Sequence, residues 1–84
     1  MELIHLDKRE FALLYYIYAG RDTIERLEAY FPDWFIRPTL RKLEAMGFVR
    51  LSEFEGDPFY SFMETEQGLN YLKSHGQWFD ELGN

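Results

Sequence analysis

Basic side chains are concentrated in one short stretch of this sequence. Residues 34–51 carry four of them, Arg37, Arg41, Lys42 and Arg50, and a single acidic residue. The chain as a whole is acidic, with 15 Asp and Glu against 9 Lys and Arg and a formal net charge of -6. Guanidinium and ammonium groups donate hydrogen bonds to guanine O6 and N7 and to phosphate oxygens. The distribution predicts that this stretch makes any nucleic-acid contact, and it excludes a basic coat over the whole surface.

A helix over this stretch would place the cations on one face. With successive residues about 100° apart, the apolar side chains fall on one side and the cations on the other. The apolar side carries Ile36, Leu40 and Leu43. The other side carries the cations Arg37, Arg41 and Lys42 together with Pro38 and Ala45. We expect Arg37 and Arg41 to reach base edges in a major groove. Lys42 and Arg50 are the candidates for phosphate contacts.

The competing interpretation is that these arginines only keep the helix soluble. Asp33 lies four residues before Arg37, and Glu44 lies three residues after Arg41. Ion pairs form along a helix at both spacings. The DNA hypothesis therefore requires Arg37, Arg41 and Lys42 to project outward with their charges available. Pairing of all three with acidic neighbours would remove its basis.

The remaining reactive side chains form no catalytic or metal-binding pattern. The chain has no Cys, and His5 and His75 lie in different segments. The acidic residues between positions 53 and 64 lack the loop spacing of a calcium site. Neither an H-E-x-x-H motif nor a Gly-rich phosphate loop is present. We expect no enzymatic activity, no cofactor and no bound metal.

Capping residues and prolines predict four helices. Asp7 and Glu10 have the spacing of a capping box, so the first helix should begin at Lys8. Pro38 is tolerated in the first turn of a helix and clashes with the preceding turn when deeper, so the third helix should begin near 35–37. The predicted helices are residues 8–19, 23–31, 36–46 and 66–75.

A change of period after the third helix predicts a β-hairpin. Strand-forming residues alternate over about 48–63, and Glu55–Pro58 reads as a four-residue turn. A chain of 84 residues accommodates one domain. The predicted fold is a single domain over residues 1–84, mainly α with a small antiparallel β-hairpin, in the α+β class.

Two local patterns and the order of elements resemble the winged helix-turn-helix fold. Residues 40–49, LRKLEAMGFV, resemble the L-x-x-L-E-x-x-G-L-[VI] junction between recognition helix and wing in MarR, PadR and phage-repressor regulators. Residues 60–72 resemble their Y-x-L-T-x-x-G-x-x-x-L junction, with one residue more between Tyr60 and Thr65. The resemblance implies a three-helix core, a two-stranded wing and a C-terminal helix. Arg26 in the second helix and Arg21 before it would then contact flanking phosphates.

We therefore expect a small repressor-like transcriptional regulator that binds duplex DNA in a sequence-specific manner through its third helix. A homodimer would read two half-sites about 34 Å apart. The predicted wing tip, Glu53–Pro58, departs from the family pattern because its acids repel phosphate. An alternative is a winged-helix protein-interaction module whose acidic wing docks a basic partner.

Two further expectations concern the cellular compartment and the C-terminal aromatic residues. The longest apolar run, Phe11–Ala19, is too short to span a bilayer, and the absence of Cys suits a reducing compartment, so we expect a cytoplasmic protein. Trp78 and Phe79 are expected to pack either into the core or into a dimer seam.

Overall fold

A computed structural model of the chain describes residues 6–74. Four helices and a two-stranded antiparallel sheet make up this part, which confirms the α+β class. In chain order the elements are α1 (Lys8–Tyr18), α2 (Ile24–Leu27), α3 (Asp33–Ala45), β1 (Val49–Phe54), β2 (Asp57–Glu64) and α4 (Glu66–Ser74). Within residues 6–74 no helix is both long and apolar enough to cross a membrane.

Helix α1 begins where the sequence predicted. The Asp7 carboxylate accepts the Glu10 N–H at 2.8 Å, and the Glu10 carboxylate accepts the Asp7 N–H at 3.0 Å. This capping box satisfies backbone donors that the first helical turn leaves unpaired. The helix ends at Tyr18, one residue before the predicted end. Its core-facing side chains are Phe11, Leu13, Leu14 and Ile17.

Helix α2 is much shorter than the predicted 23–31. Thr23 caps it by accepting the Arg26 N–H at 3.3 Å, but the helix ends at Leu27. The chain then turns, and the ring of Phe31 stacks on that of Phe35 with centroids 5.6 Å apart. The prediction was wrong because burial of Phe31 by this turn outweighs continuation of the helix.

Helix α3 begins earlier than predicted, at Asp33 rather than near 35–37. The extended backbone of Pro32 starts the helix, and its carbonyl accepts the N–H groups of Phe35 and Ile36 at 3.0 and 3.1 Å. Pro38 therefore lies in the second turn and has no N–H for the Trp34 carbonyl. Both residues are exposed, so water can take the place of that hydrogen bond.

The hairpin has a two-residue turn instead of the predicted four-residue turn. Phe54 pairs with Asp57, and Glu55 and Gly56 between them have φ values of 51° and 83°. Two positive φ angles match the twist of a tight hairpin turn, and glycine adopts them without strain. The pairing shifts register between Ser52 and Phe54.

A tyrosine hydroxyl joins α1 to the chain segments on either side of the hairpin. Tyr18 Oη accepts the Thr65 N–H at 2.8 Å and lies 2.9 Å from the Phe48 carbonyl oxygen. Thr65 Oγ1 donates to the Gly47 carbonyl at 2.7 Å and accepts the Gly68 N–H at 3.0 Å, so it caps α4 as predicted. The predicted end of that helix at 75 lies outside the described residues.

Gly68 lies where α4 approaches this tyrosine most closely. A Cβ added to Gly68 would overlap Tyr18 Oη and the Phe48 carbonyl oxygen. Alanine otherwise favours a helix by about 1 kcal/mol over glycine. The position is therefore restricted by packing rather than by helix propensity.

We expect Gly68→Ala to lower the free energy of unfolding by about 2 kcal/mol, because the added methyl separates α4 from α1. Urea unfolding followed by circular dichroism measures the change. Asn70→Ala, on the exposed side of the same helix, is the control and should change stability little. Equal or higher stability of Gly68→Ala would show that α4 does not pack this closely.

Candidate functional site

Both arginines predicted to read bases form ion pairs within α3. Arg37 Nε lies 3.3 Å from Asp33 Oδ1, and Arg41 Nη1 lies 3.3 Å from Glu44 Oε1. These are the i, i+4 and i, i+3 spacings visible in the sequence. All four side chains are between two-fifths and three-fifths exposed, so the pairs lie at the surface.

Lys42 points toward α1. Its Nζ lies 2.8 Å from Glu10 Oε1, the same oxygen that accepts the Asp7 N–H of the capping box. The Glu10 side chain is only 15% exposed. A charge-assisted hydrogen bond to a partly buried carboxylate is stronger than an exposed surface pair. Of the three α3 cations, Lys42 is the one most firmly held.

The aromatic ring of a hairpin residue lies against the guanidinium groups of both arginines. The Cζ atoms of Arg37 and Arg41 lie 5.4 and 4.8 Å from the centroid of the Phe59 ring. Phe59 is 8% exposed, so the guanidinium groups cover its ring. Cations attract the faces of aromatic rings, and the contact is stronger when water is excluded. Each arginine is thus held by a ring and by a carboxylate.

The two cations around α2 are also engaged. Arg26 Nη1 lies 3.6 Å from Asp22 Oδ1 and donates to the Gly20 carbonyl at 3.1 Å. Arg21 Nη2 donates to Tyr30 Oη at 3.1 Å, and its guanidinium lies 4.9 Å from the Tyr30 ring centroid. They line a shallow groove of about 380 Å³ beside Tyr30.

Arg50 is the exception among the six candidate residues. It is exposed on β1 opposite Met63, and no hydrogen bond, ion pair or ring contact engages it within residues 6–74. It borders an open polar cleft of about 620 Å³ with Thr65 and Gln67. The structure therefore brings Arg37 and Arg41 together over one ring, turns Lys42 to α1 and leaves Arg50 on the hairpin.

The hairpin carries an exposed apolar surface on the face turned away from the core. Phe54, Tyr60 and Met63 are 52%, 51% and 52% exposed. The rings of Phe54 and Tyr60 are in contact, with centroids 4.8 Å apart. Val49 and Phe62 on the same two strands are buried, at 3% and 4% exposure. We call the contacting pair Phe54 and Tyr60 the outer face; Met63 lies further along β2, opposite Arg50.

Three carboxylates neighbour Phe54 along the chain or across the strands. Asp57 pairs directly with Phe54 across the strands, Glu55 follows Phe54 in the turn, and Glu53 precedes it. All three are exposed. The sequence predicted these acids to repel DNA. It did not predict the exposed pair Phe54 and Tyr60, because the register that exposes them depends on the two-residue turn.

No protein-family model, curated protein or solved structure matches this chain. Among residues 6–74 no group of three or more His, Asp and Glu side chains is placed to hold a metal ion. Trp78 and Phe79, expected in a core or a dimer seam, lie outside the described residues, as do His5 and His75. The candidate binding surfaces are therefore those of α3 and the hairpin.

The Phe59 contact predicts energetic coupling between the hairpin and α3. In a double-mutant cycle, Phe59→Leu and Arg41→Gln should show a coupling of about 0.5–1 kcal/mol, typical of a cation over an aromatic ring. Unfolding free energies of the four proteins measure it. Phe59→Leu with Arg50→Gln is the control cycle, with a coupling near zero because Arg50 has no ring contact. Equal couplings in the two cycles would contradict the contact.

Proposed function

We propose that this chain is a winged helix-turn-helix domain that works as a protein-interaction module, with the outer face of its hairpin docking a basic segment of a partner. The observation that carries the proposal is an exposed, contacting aromatic pair, Phe54 and Tyr60, with acidic residues at the positions next to Phe54. The three α3 cations predicted to contact DNA, at base edges or phosphates, are at the same time each held by a carboxylate.

The order and joining of elements support the winged-helix part of the proposal. Three helices precede the hairpin and one follows it. Gly47, with φ 80°, turns the end of α3 into β1. The Phe62 N–H donates to the Asp22 carbonyl at 3.3 Å, which ties β2 to the segment between α1 and α2. These contacts anchor the hairpin beside the helices, the position that a wing would take in the proposed fold.

Charge and composition support the docking part. Residues 51–64 contain four acidic side chains and no Lys or Arg. Such a field raises the association rate of basic partners and disfavours nucleic acid. Aromatic side chains surrounded by a polar rim are the usual centres of binding energy in protein interfaces. Phe54 and Tyr60 have that arrangement.

Pairing of Arg37, Arg41 and Lys42 removes the basis first given for DNA binding, so duplex DNA binding through α3 becomes the second candidate and rests on two other observations. The Arg37 and Arg41 pairs are exposed, and exposed pairs contribute about 0–1 kcal/mol, so phosphates can compete for these arginines. Within the described part of the chain the Arg50 side chain has no ion pair or ring contact. This candidate includes the repressor-like homodimer implied by the family resemblance. It requires several ion pairs to break on binding, whereas the hairpin surface needs no rearrangement.

The docking proposal predicts that a basic peptide binds the hairpin. The probe is an end-blocked peptide of alternating arginine and glycine, titrated by calorimetry at low ionic strength. Glu53→Gln/Glu55→Gln should weaken binding about three- to tenfold, because it removes two carboxylates beside the outer face. Glu25→Gln/Glu28→Gln on and beside α2 changes the net charge equally and should stay within about twofold of the parent.

Equal losses in the two double variants would mean that net charge alone attracts the peptide. Absence of binding to the parent chain would remove the docking proposal. Nuclear magnetic resonance shifts of backbone amides at 53–60 locate the peptide independently.

A titration with random duplex DNA tests the second candidate. We expect weak binding that Arg37→Gln/Arg41→Gln changes no more than Lys8→Gln/Lys73→Gln does, because the α3 arginines are already paired. Fluorescence anisotropy at low and moderate salt measures it. Selective loss in the α3 variant, with the steep salt dependence of released counterions, would place DNA binding ahead of peptide docking.

A further inference from the structure

Two exposed aromatic rings, those of Trp34 and Tyr30, each lie beside an arginine of the same chain. Trp34 is 70% exposed, and the Arg9 Cζ lies 5.6 Å from its ring centroid. Tyr30 is 50% exposed, and the Arg21 Cζ lies 4.9 Å from its centroid. Planar guanidinium groups stack on rings and are more weakly hydrated than ammonium groups. Ring and guanidinium are thus a repeated pairing on this surface.

The aromatic pair beneath Arg21 provides a direct comparison with the hairpin pair. Tyr16 and Tyr30 have ring centroids 4.7 Å apart, and Arg21 lies over both rings. Phe54 and Tyr60 have centroids 4.8 Å apart and similar exposure to Tyr30. Within residues 6–74 no cation lies over either hairpin ring.

The carboxylates needed to complete such a site are also present on the hairpin. On α3, Arg41 is held from one side by the Phe59 ring and from another by Glu44. On the hairpin, Asp57 is paired opposite the Phe54 ring and Glu55 follows in the turn. The hairpin therefore offers rings and neighbouring carboxylates like those of the α3 arrangement. Within residues 6–74 its own cation, Arg50, lies opposite Met63 and not over the Phe54 or Tyr60 ring.

We infer that the hairpin recognises arginine rather than basic residues in general: the guanidinium of a partner protein stacks on Phe54 and Tyr60 and donates to the carboxylates beside them. The inference rests on the docking function proposed above and adds its specificity. Guanidinium has five N–H donors in one plane, so it can contact a ring with its face and carboxylates with its edge. Lysine offers a compact, strongly hydrated charge that gains less from the ring.

The test compares two end-blocked peptides of equal length, alternating arginine with glycine or lysine with glycine, on the full chain. We expect the arginine peptide to bind about two- to fivefold more tightly, the range that a cation over an exposed ring supplies. Phe54→Leu/Tyr60→Leu should remove most of this preference and leave the lysine peptide little affected. Trp34→Leu removes an exposed ring elsewhere and should leave both affinities unchanged.

The outcomes separate this inference from the function on which it rests. Equal affinities for the two peptides, both lowered by Glu53→Gln/Glu55→Gln, would overturn arginine recognition and keep a generally basic partner. An arginine preference that survives in Phe54→Leu/Tyr60→Leu would overturn the role of the rings. Failure of both peptides to bind the parent chain would remove the docking function itself. Circular dichroism of each variant verifies the fold, which these exposed positions should not disturb.

Discussion

The contact between Phe59 and two arginines decides how the surfaces of this molecule can be used. The ring lies under the guanidinium groups of Arg37 and Arg41, so one residue of β2 both fixes the hairpin against α3 and occupies the cations of that helix. Asp33 and Glu44 hold the same groups from other sides. Cations engaged in this way stabilise the fold, and their use by another molecule requires these contacts to be replaced.

The aromatic residues of the hairpin differ in their exposure. Phe59 and Phe62 are buried, whereas Phe54 and Tyr60 are half exposed among acids. Among residues 6–74 the three α3 cations are paired with carboxylates, whereas acidic residues neighbour the exposed Phe54 on the hairpin. Such a surface suits a basic protein segment better than a phosphate backbone. The proposed winged-helix architecture would be compatible with either partner, because fold alone does not determine function.

The sequence predicted interactions between residues close together in the chain, and it did not predict interactions between distant residues. The capping box at Asp7 lies within four residues, and the start of α1 was predicted correctly. The end of α2 was not, because burial of Phe31 depends on a stacking partner in another element. The pair of Lys42 with Glu10 joins residues 32 apart, and the sequence contains no signal for it. The Phe59 contact was hidden for the same reason. The pairs of Arg37 with Asp33 and of Arg41 with Glu44 lie within four residues, and the sequence indicated both as the alternative to DNA contact.

The most direct test is the proton chemical shift of the arginine δ-methylene and ε-N–H groups in the folded chain. A phenyl ring beneath a guanidinium shifts these protons upfield, and Arg50, which has no ring contact, provides the reference within the same molecule. The account predicts upfield shifts for Arg37 and Arg41 that disappear in Phe59→Leu. Shifts equal to those of Arg50 in the parent chain would mean that the α3 arginines are free in solution, and would contradict the account.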